Sequence, residues 1–154
     1  MKILVTGGAG YIGGHVVNAL LATEYEIVVL DNLQKGHRDA VMGGKFIEAD
    51  LADRRRLEQV FQEHKIAGVI HLAADSLVGE SMEDPAKYYY NNVLNGYNLL
   101  EVMRQFGTRY FVFSSTAAVY GNPKVTPITE DHPTKPTNVY GRTKLHFEEM
   151  LADY

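Results

Sequence analysis

The chain has 154 residues, 45% of them apolar, with 15 Lys+Arg against 19 Asp+Glu, 14 Gly and no Cys. That is one domain's length of sequence with enough apolar content for a core, and a formal net charge of -4 leaves no surplus of cations to neutralise a nucleic-acid backbone. Without cysteine there is no disulfide framework, thiol nucleophile, Cys-ligated zinc or iron–sulfur cluster. The apolar runs are too short for a signal peptide or a membrane span, so the expectation is a soluble, cytoplasmic domain with neither a nucleic-acid nor a membrane partner.

The first strand is predicted at residues 3–5 and runs directly into Thr6-Gly7-Gly8-Ala9-Gly10-Tyr11-Ile12-Gly13, inside which a helical pattern over 11–21 begins. Gly7, Gly10 and Gly13 stand three apart at this strand-to-helix junction. Glycine at these positions permits a sharp turn, lets backbone approach a pyrophosphate, and lets the helix pack close. The helix start, with the N–H groups of Tyr11, Ile12 and Gly13, offers free donors and a positive dipole end to phosphates. A second strand at 27–30 ends on Asp31, 18 positions past Gly13, close to the spacing of roughly 20 expected of a ribose-binding acid. A carboxylate there accepts hydrogen bonds from ribose hydroxyls and repels a 2′-phosphate, which favours NAD over NADP. Lys35 and Arg38 read as solvated loop charges. A third strand at 46–47 precedes Asp50-Leu51, which either caps the helix predicted over 54–64 or contacts the adenine amine.

A fourth strand is expected at 69–72, a long helix at 85–106, a fifth strand at 110–113 and a last helix at 138–154. Each strand is short and apolar, unlike a half-exposed one, and the helical stretches repeat apolar residues every three or four. This alternation gives a doubly wound α/β fold, a Rossmann-like parallel sheet of about five strands with helices on both faces, as a single unit over 1–154. The fifth strand ends in Phe113-Ser114-Ser115-Thr116, placing hydroxyls where open parallel sheets bind ligands. Tyr140 and Lys144 stand four apart, on one face of the last helix. A phenol titrates near 10 on its own; an ammonium neighbour and a cationic nicotinamide both favour the phenolate, a useful general base.

Together these segments resemble the extended short-chain dehydrogenase/reductase superfamily and, within it, the UDP-glucose 4-epimerase family. The resemblance covers the whole chain. It rests on the glycine segment, Asp31-Asn32-Leu33, Val78-Gly79-Glu80-Ser81, Asn91-Asn92-Val93, Phe113-Ser114-Ser115 with Val119-Tyr120-Gly121, Pro127-Ile128-Thr129-Glu130, and Tyr140-Gly141 with Lys144. It implies Tyr140 as base, Lys144 on the nicotinamide ribose, and Thr116 on the reacting sugar hydroxyl. It further implies Asn32, Leu72, Ala73, Ala74, Asn91 and Ser114 among the NAD contacts, a UDP-hexose substrate epimerised at C4 through a 4-keto sugar, and a homodimer formed through helices 85–106 and 138–154. Dehydratases of the superfamily carry an Asp-Glu pair just after the strand hydroxyls; Ala117-Ala118 stand there instead, and methyl groups transfer no protons. A dinucleotide-binding module without turnover is the other expectation, since full-length relatives continue with further strands and a substrate region.

Some positions depart from the family pattern. Asn95-Gly96 stands where Gly-Thr is usual, and Ser76 where some members carry a cofactor-contacting lysine, so that role is not carried over. Gly96 reads as a packing feature. The six histidines show no i, i+4 pair and suggest no metal site; His71, on an apolar strand, reads as a satisfied buried histidine. Tyr88-Tyr89-Tyr90 reads as core plus subunit contact.

Overall fold

The computed structural model describes residues 1–154. Its elements are β1 (Lys2–Thr6), α1 (Tyr11–Leu20), β2 (Glu26–Asp31), β3 (Lys45–Glu48), α2 (Arg54–His64), β4 (Gly68–His71), α3 (Val78–Glu83), α4 (Pro85–Tyr89), α5 (Asn95–Phe106), β5 (Tyr110–Phe113) and α6 (Val139–Asp153). No helix is long and apolar enough to cross a membrane. Two compact units form, Met1–Ala74 with Tyr97–Ser114, and Asp75–Gly96 with Ser115–Tyr154.

The first unit holds the whole sheet, five parallel strands in the order β3-β2-β1-β4-β5. Ile3 to Thr6 and Ile27 to Asp31 are buried without a break, the mark of strands covered on both faces. On one face Ile3, Val5, Ile27 and Val29 pack with Ala9, Val17 and Val41. Leu4, with its register partners Val28 and Val69, and Leu30 turn to the other face. His71 is buried with its Nδ1 2.6 Å from Thr6 Oγ1, so this histidine is a satisfied core residue.

Three expectations need correction. Strand β5 takes the sheet-edge position expected of the fifth strand, but the expectation that no strand is half-exposed fails there, since Tyr110 and Val112 are 68% and 60% exposed. Asp53, not Asp50, caps α2, its carboxylate accepting the Arg56 N–H at 3.0 Å. The helix expected over 85–106 is divided: Asp84 caps α4 with Pro85 in its first turn, and a π-helical turn, Tyr90–Leu94, leads into α5. The smaller shifts are at ends. Strand β4 stops at His71, and Leu72 instead gives its N–H to the Thr6 carbonyl; Asn138 lies outside α6 as its cap.

The second unit is built around α6. The short helix α3, absent from the sequence reading, supplies Ser81, whose hydroxyl accepts the Tyr140 N–H at 3.1 Å and donates to the Val78 carbonyl at 2.7 Å. Gly96 is required by Phe147: a Cβ there would lie 2.3 Å from the fully buried ring. Tyr88 is wholly buried while Tyr90 is 54% exposed. The Tyr88 hydroxyl accepts the Leu77 N–H and shares its one proton between the Leu77 carbonyl and the Glu80 carboxylate, and burial pushes its pKa up past any physiological value.

Candidate functional site

In the first unit the strand order reverses between β1 and β4, the place where open parallel sheets bind ligands. Gly7 follows β1 at φ +72°, a left-handed turn, and a Cβ on it would lie 2.5 Å from the Ala73 nitrogen. Gly13 is as tight, since its Cβ would fall 2.1 Å from the Gly7 carbonyl oxygen. Gly10 is the helix cap and is far more open, with the Gly7 oxygen at 3.3 Å the single near atom. No side chain caps α1, and its first turn holds no acidic residue. Gly14 is the first helical residue whose N–H reaches a backbone carbonyl, that of Gly10 at 2.8 Å. The N–H groups of Tyr11, Ile12 and Gly13 are therefore available to an anion, and the Tyr11 and Ile12 side chains are exposed.

Asp31 ends β2 and is 8% exposed. One carboxylate oxygen accepts the Ala9 N–H of the glycine loop at 3.0 Å, and the other accepts the Leu33 N–H at 2.8 Å. The acid thus staples the loop to the sheet and still keeps a lone pair on each oxygen, enough to receive a ribose diol. Asn32 Nδ2 donates to the Asp50 carboxylate at 2.8 Å, and Asp50 also receives the Ala52 N–H. Leu51 is buried, and its carbonyl accepts from Asn98. Arg38 lies over the Phe46 ring at 4.4 Å, a cation–π contact that occupies its planar face. Leu72 and Ala73 follow β4 beside Gly7, Ala74 closes that segment, and Ser114 gives its N–H to the His71 carbonyl at 3.1 Å. The uncapped helix start, the glycine at its cap and the two free lone pairs of Asp31 suit the pyrophosphate and ribose of a dinucleotide such as NAD.

The second unit carries the other group of expected residues. Asn138 caps α6 by accepting the Gly141 N–H at 2.7 Å, which sets Tyr140 in the first turn. Lys144, one turn later, is 3% exposed with its Nζ 6.0 Å from the centre of the Tyr140 ring. Burial pushes its ammonium down from 10.5 to about 8, while the Glu148 carboxylate holds it up. At neutral pH the group is therefore still mostly charged. Thr116 caps the short turn Ala117–Tyr120, accepting the Ala118 N–H at 3.2 Å. That turn lies against α6, because a Cβ on Gly141 would come within 2.7 Å of the Ala118 carbonyl oxygen. Ser115 donates to Glu148, tying the segment before Thr116 to the same helix.

Asn91 sits in the π turn with its amide bonded to Asp75 and Asn95. Asp75, Asn95 and Glu148 have no place among the expected site residues. Glu148 is findable in the sequence as the position four past Lys144, on the same helical face. Asp75 has no local signal, since its partners lie 16 and 17 positions away.

The fold and these residues define a nucleotide-binding α/β protein with a Tyr-Lys pair on a helix. The chain belongs to the NAD dependent epimerase/dehydratase family, whose model matches residues 3–154. Among curated proteins it is 53% identical over 152 residues to UDP-glucose 4-epimerase of Lacticaseibacillus casei, with 98% of this chain and 46% of that one covered. It is 50% identical over 161 residues to the Bacillus subtilis UDP-glucose 4-epimerase, covering 99% and 48%. Among solved structures, UDP-glucose 4-epimerase from Brucella ovis in complex with NAD superposes with a TM-score of 0.97 at 48% identity, over 99% of this chain and 47% of that chain. The chain spans about half the length of the curated relatives it matches.

Proposed function

We propose that this chain is the NAD-binding part of a UDP-hexose 4-epimerase that interconverts UDP-galactose and UDP-glucose through a 4-keto sugar. The observation that carries the reading is the buried Lys144 ammonium, held one helical turn from Tyr140. Tyr140, with that cation one turn away, would take the proton of the sugar 4-hydroxyl and later return it. Thr116 would hydrogen-bond that hydroxyl. The glycine loop and the start of α1, with Tyr11 and Ile12, would hold the pyrophosphate, and Asp31 the adenosine ribose. Asn32, Asp50, Leu51, Leu72, Ala73, Ala74, Asn91 and Ser114 would complete the cofactor contacts, with Lys144 on the nicotinamide ribose. Bound NAD supplies a reversible hydride acceptor that is restored in every cycle.

Ala117 and Ala118 argue against a 4,6-dehydratase, because elimination of water needs an acid and a base at those positions. We also propose a homodimer, supported by Tyr90 and Leu94, large apolar side chains 54% and 48% exposed. A cytoplasmic location is proposed on the cysteine-free composition alone.

The test is conversion of UDP-galactose by the 154-residue chain, alone and with the C-terminal half of a relative added in trans. Turnover that Tyr140→Phe abolishes supports the reading. Folded, NAD-loaded protein without turnover in either arm would reduce it to a dinucleotide-binding module.

A further inference from the structure

The π turn leaves the Asn91 carboxamide engaged at both ends. Its Nδ2 donates to the Asp75 carboxylate at 3.0 Å, and its Oδ1 accepts from Asn95 Nδ2 at 3.2 Å. A carboxylate only accepts and an amide NH2 only donates, so the Asn91 amide cannot turn over without setting oxygen against oxygen and NH2 against NH2. Asp75 is itself fixed. Its backbone N–H donates to Asn92 Oδ1 and its carbonyl accepts from Asn92 Nδ2, both at 2.9 Å. Asn92 also donates to Thr143 Oγ1 at 3.2 Å, and that hydroxyl donates to the Tyr140 carbonyl at 2.8 Å. One chain of hydrogen bonds thus runs from Asn95 to the first turn of α6.

Stability does not account for Asn95. It is 3% exposed, asparagine is a weaker helix former than alanine, and its Oδ1 is buried without a hydrogen-bond partner. A buried acceptor without a donor lowers stability and calls for an explanation. The one hydrogen bond its side chain makes is the one to Asn91. π turns within helices recur at functional sites.

We infer that Asn95, together with Asp75, is a positioning residue for the dinucleotide site, locking the Asn91 carboxamide so that its unused N–H and lone pair meet the cofactor in one fixed pattern. The inference rests on the reading of Asn91 as a cofactor contact. It separates Asn95 from the other polar residues of the unit, because removing it leaves the backbone hydrogen bonds of the π turn untouched.

The experiment titrates NAD+ into the 154-residue chain by calorimetry and follows the Asn91 side-chain NH2 signals by 15N NMR. Asn95→Ala weakens NAD+ binding about fivefold, the loss of one modest hydrogen bond. Its Tm does not fall, and the Asn91 NH2 pair broadens as the amide begins to flip. Asp75→Ala also weakens binding, and Asp75→Asn, which can turn its own amide oxygen toward Asn91, recovers most of the loss. Asn95→Ala binding NAD+ as the parent does, while Asp31→Asn binds it more weakly, overturns the inference and leaves the proposed function standing. If the parent binds no NAD+ the proposed function falls, and the Asn91 signals still decide: unchanged in Asn95→Ala, they overturn the positioning role; released, they support it.

Discussion

Replacing Lys144 by methionine removes a buried charge, and its effect on stability follows from where that charge titrates. In the folded chain the ammonium loses its proton at about 8, against 10.5 when free in water. Below pH 8 the group is charged both folded and unfolded, and burial costs about 3 kcal/mol, the shift expressed as free energy. Between pH 8 and 10.5 the unfolded chain still holds the proton that the folded chain has released, so stability rises with pH across this window. Above it both forms are neutral and the cost is gone. Lys144→Met should therefore be more stable than the parent near pH 7 by up to about 3 kcal/mol, less whatever contacts the methionine fails to replace. Those lost contacts add an offset independent of pH, so the informative quantity is the difference between the two proteins as pH changes. Urea unfolding of both, measured from pH 7 to 10.5, should show the advantage of the variant shrinking steadily above pH 8. A difference that stays flat across that range refutes the account of Lys144 as a buried cation.

Further substitutions probe the packing and one helix cap. Gly13→Ala, whose methyl would fall 2.1 Å from the Gly7 oxygen, should unfold the chain or leave it barely stable by circular dichroism, whereas Gly10→Ala, with 3.3 Å of room, should fold and bind NAD+ less tightly. Gly96→Ala drives a methyl to 2.3 Å from the Phe147 ring and should cost about 1–3 kcal/mol in urea unfolding, with Phe147→Leu on the same chain recovering part of it. Asp53→Ala removes the cap of α2 and should cost about 1 kcal/mol without altering NAD+ affinity.

Much of this architecture is legible in the sequence because the first unit obeys local rules. Continuous β-branched runs mark strands buried on both faces, and the glycines at 7, 10 and 13 announce a turn that leaves no room for a side chain at Gly7 or Gly13. Asp31 stands out by its position at a strand end. The errors arise where tertiary context decides. The run Tyr-Phe-Val-Phe of β5 has the composition of a central strand, and exposure of Tyr110 and Val112 follows from sheet order, which no local pattern encodes. Helix α3 has six residues, too few for a hydrophobic period to declare itself. The π turn gives no signature separable from helix, and Asp75 acquires its role from partners 16 and 17 positions downstream. Asp50 and Asp53 both have the chemistry of a cap, and only the start of α2 at Arg54 chooses between them.

Asp31 carries a consequence for any attempt to change which dinucleotide this protein prefers. Removing the acid to admit a 2′-phosphate would also strip the acceptors from the Ala9 and Leu33 N–H groups, and Ala9 is 1% exposed. The phosphate loop would then come loose from the strand beside it, and the new cofactor would meet a floppy cradle. Selectivity and loop order share one side chain, so a redesigned chain needs a fresh acceptor for those two donors before it can gain from the lost charge.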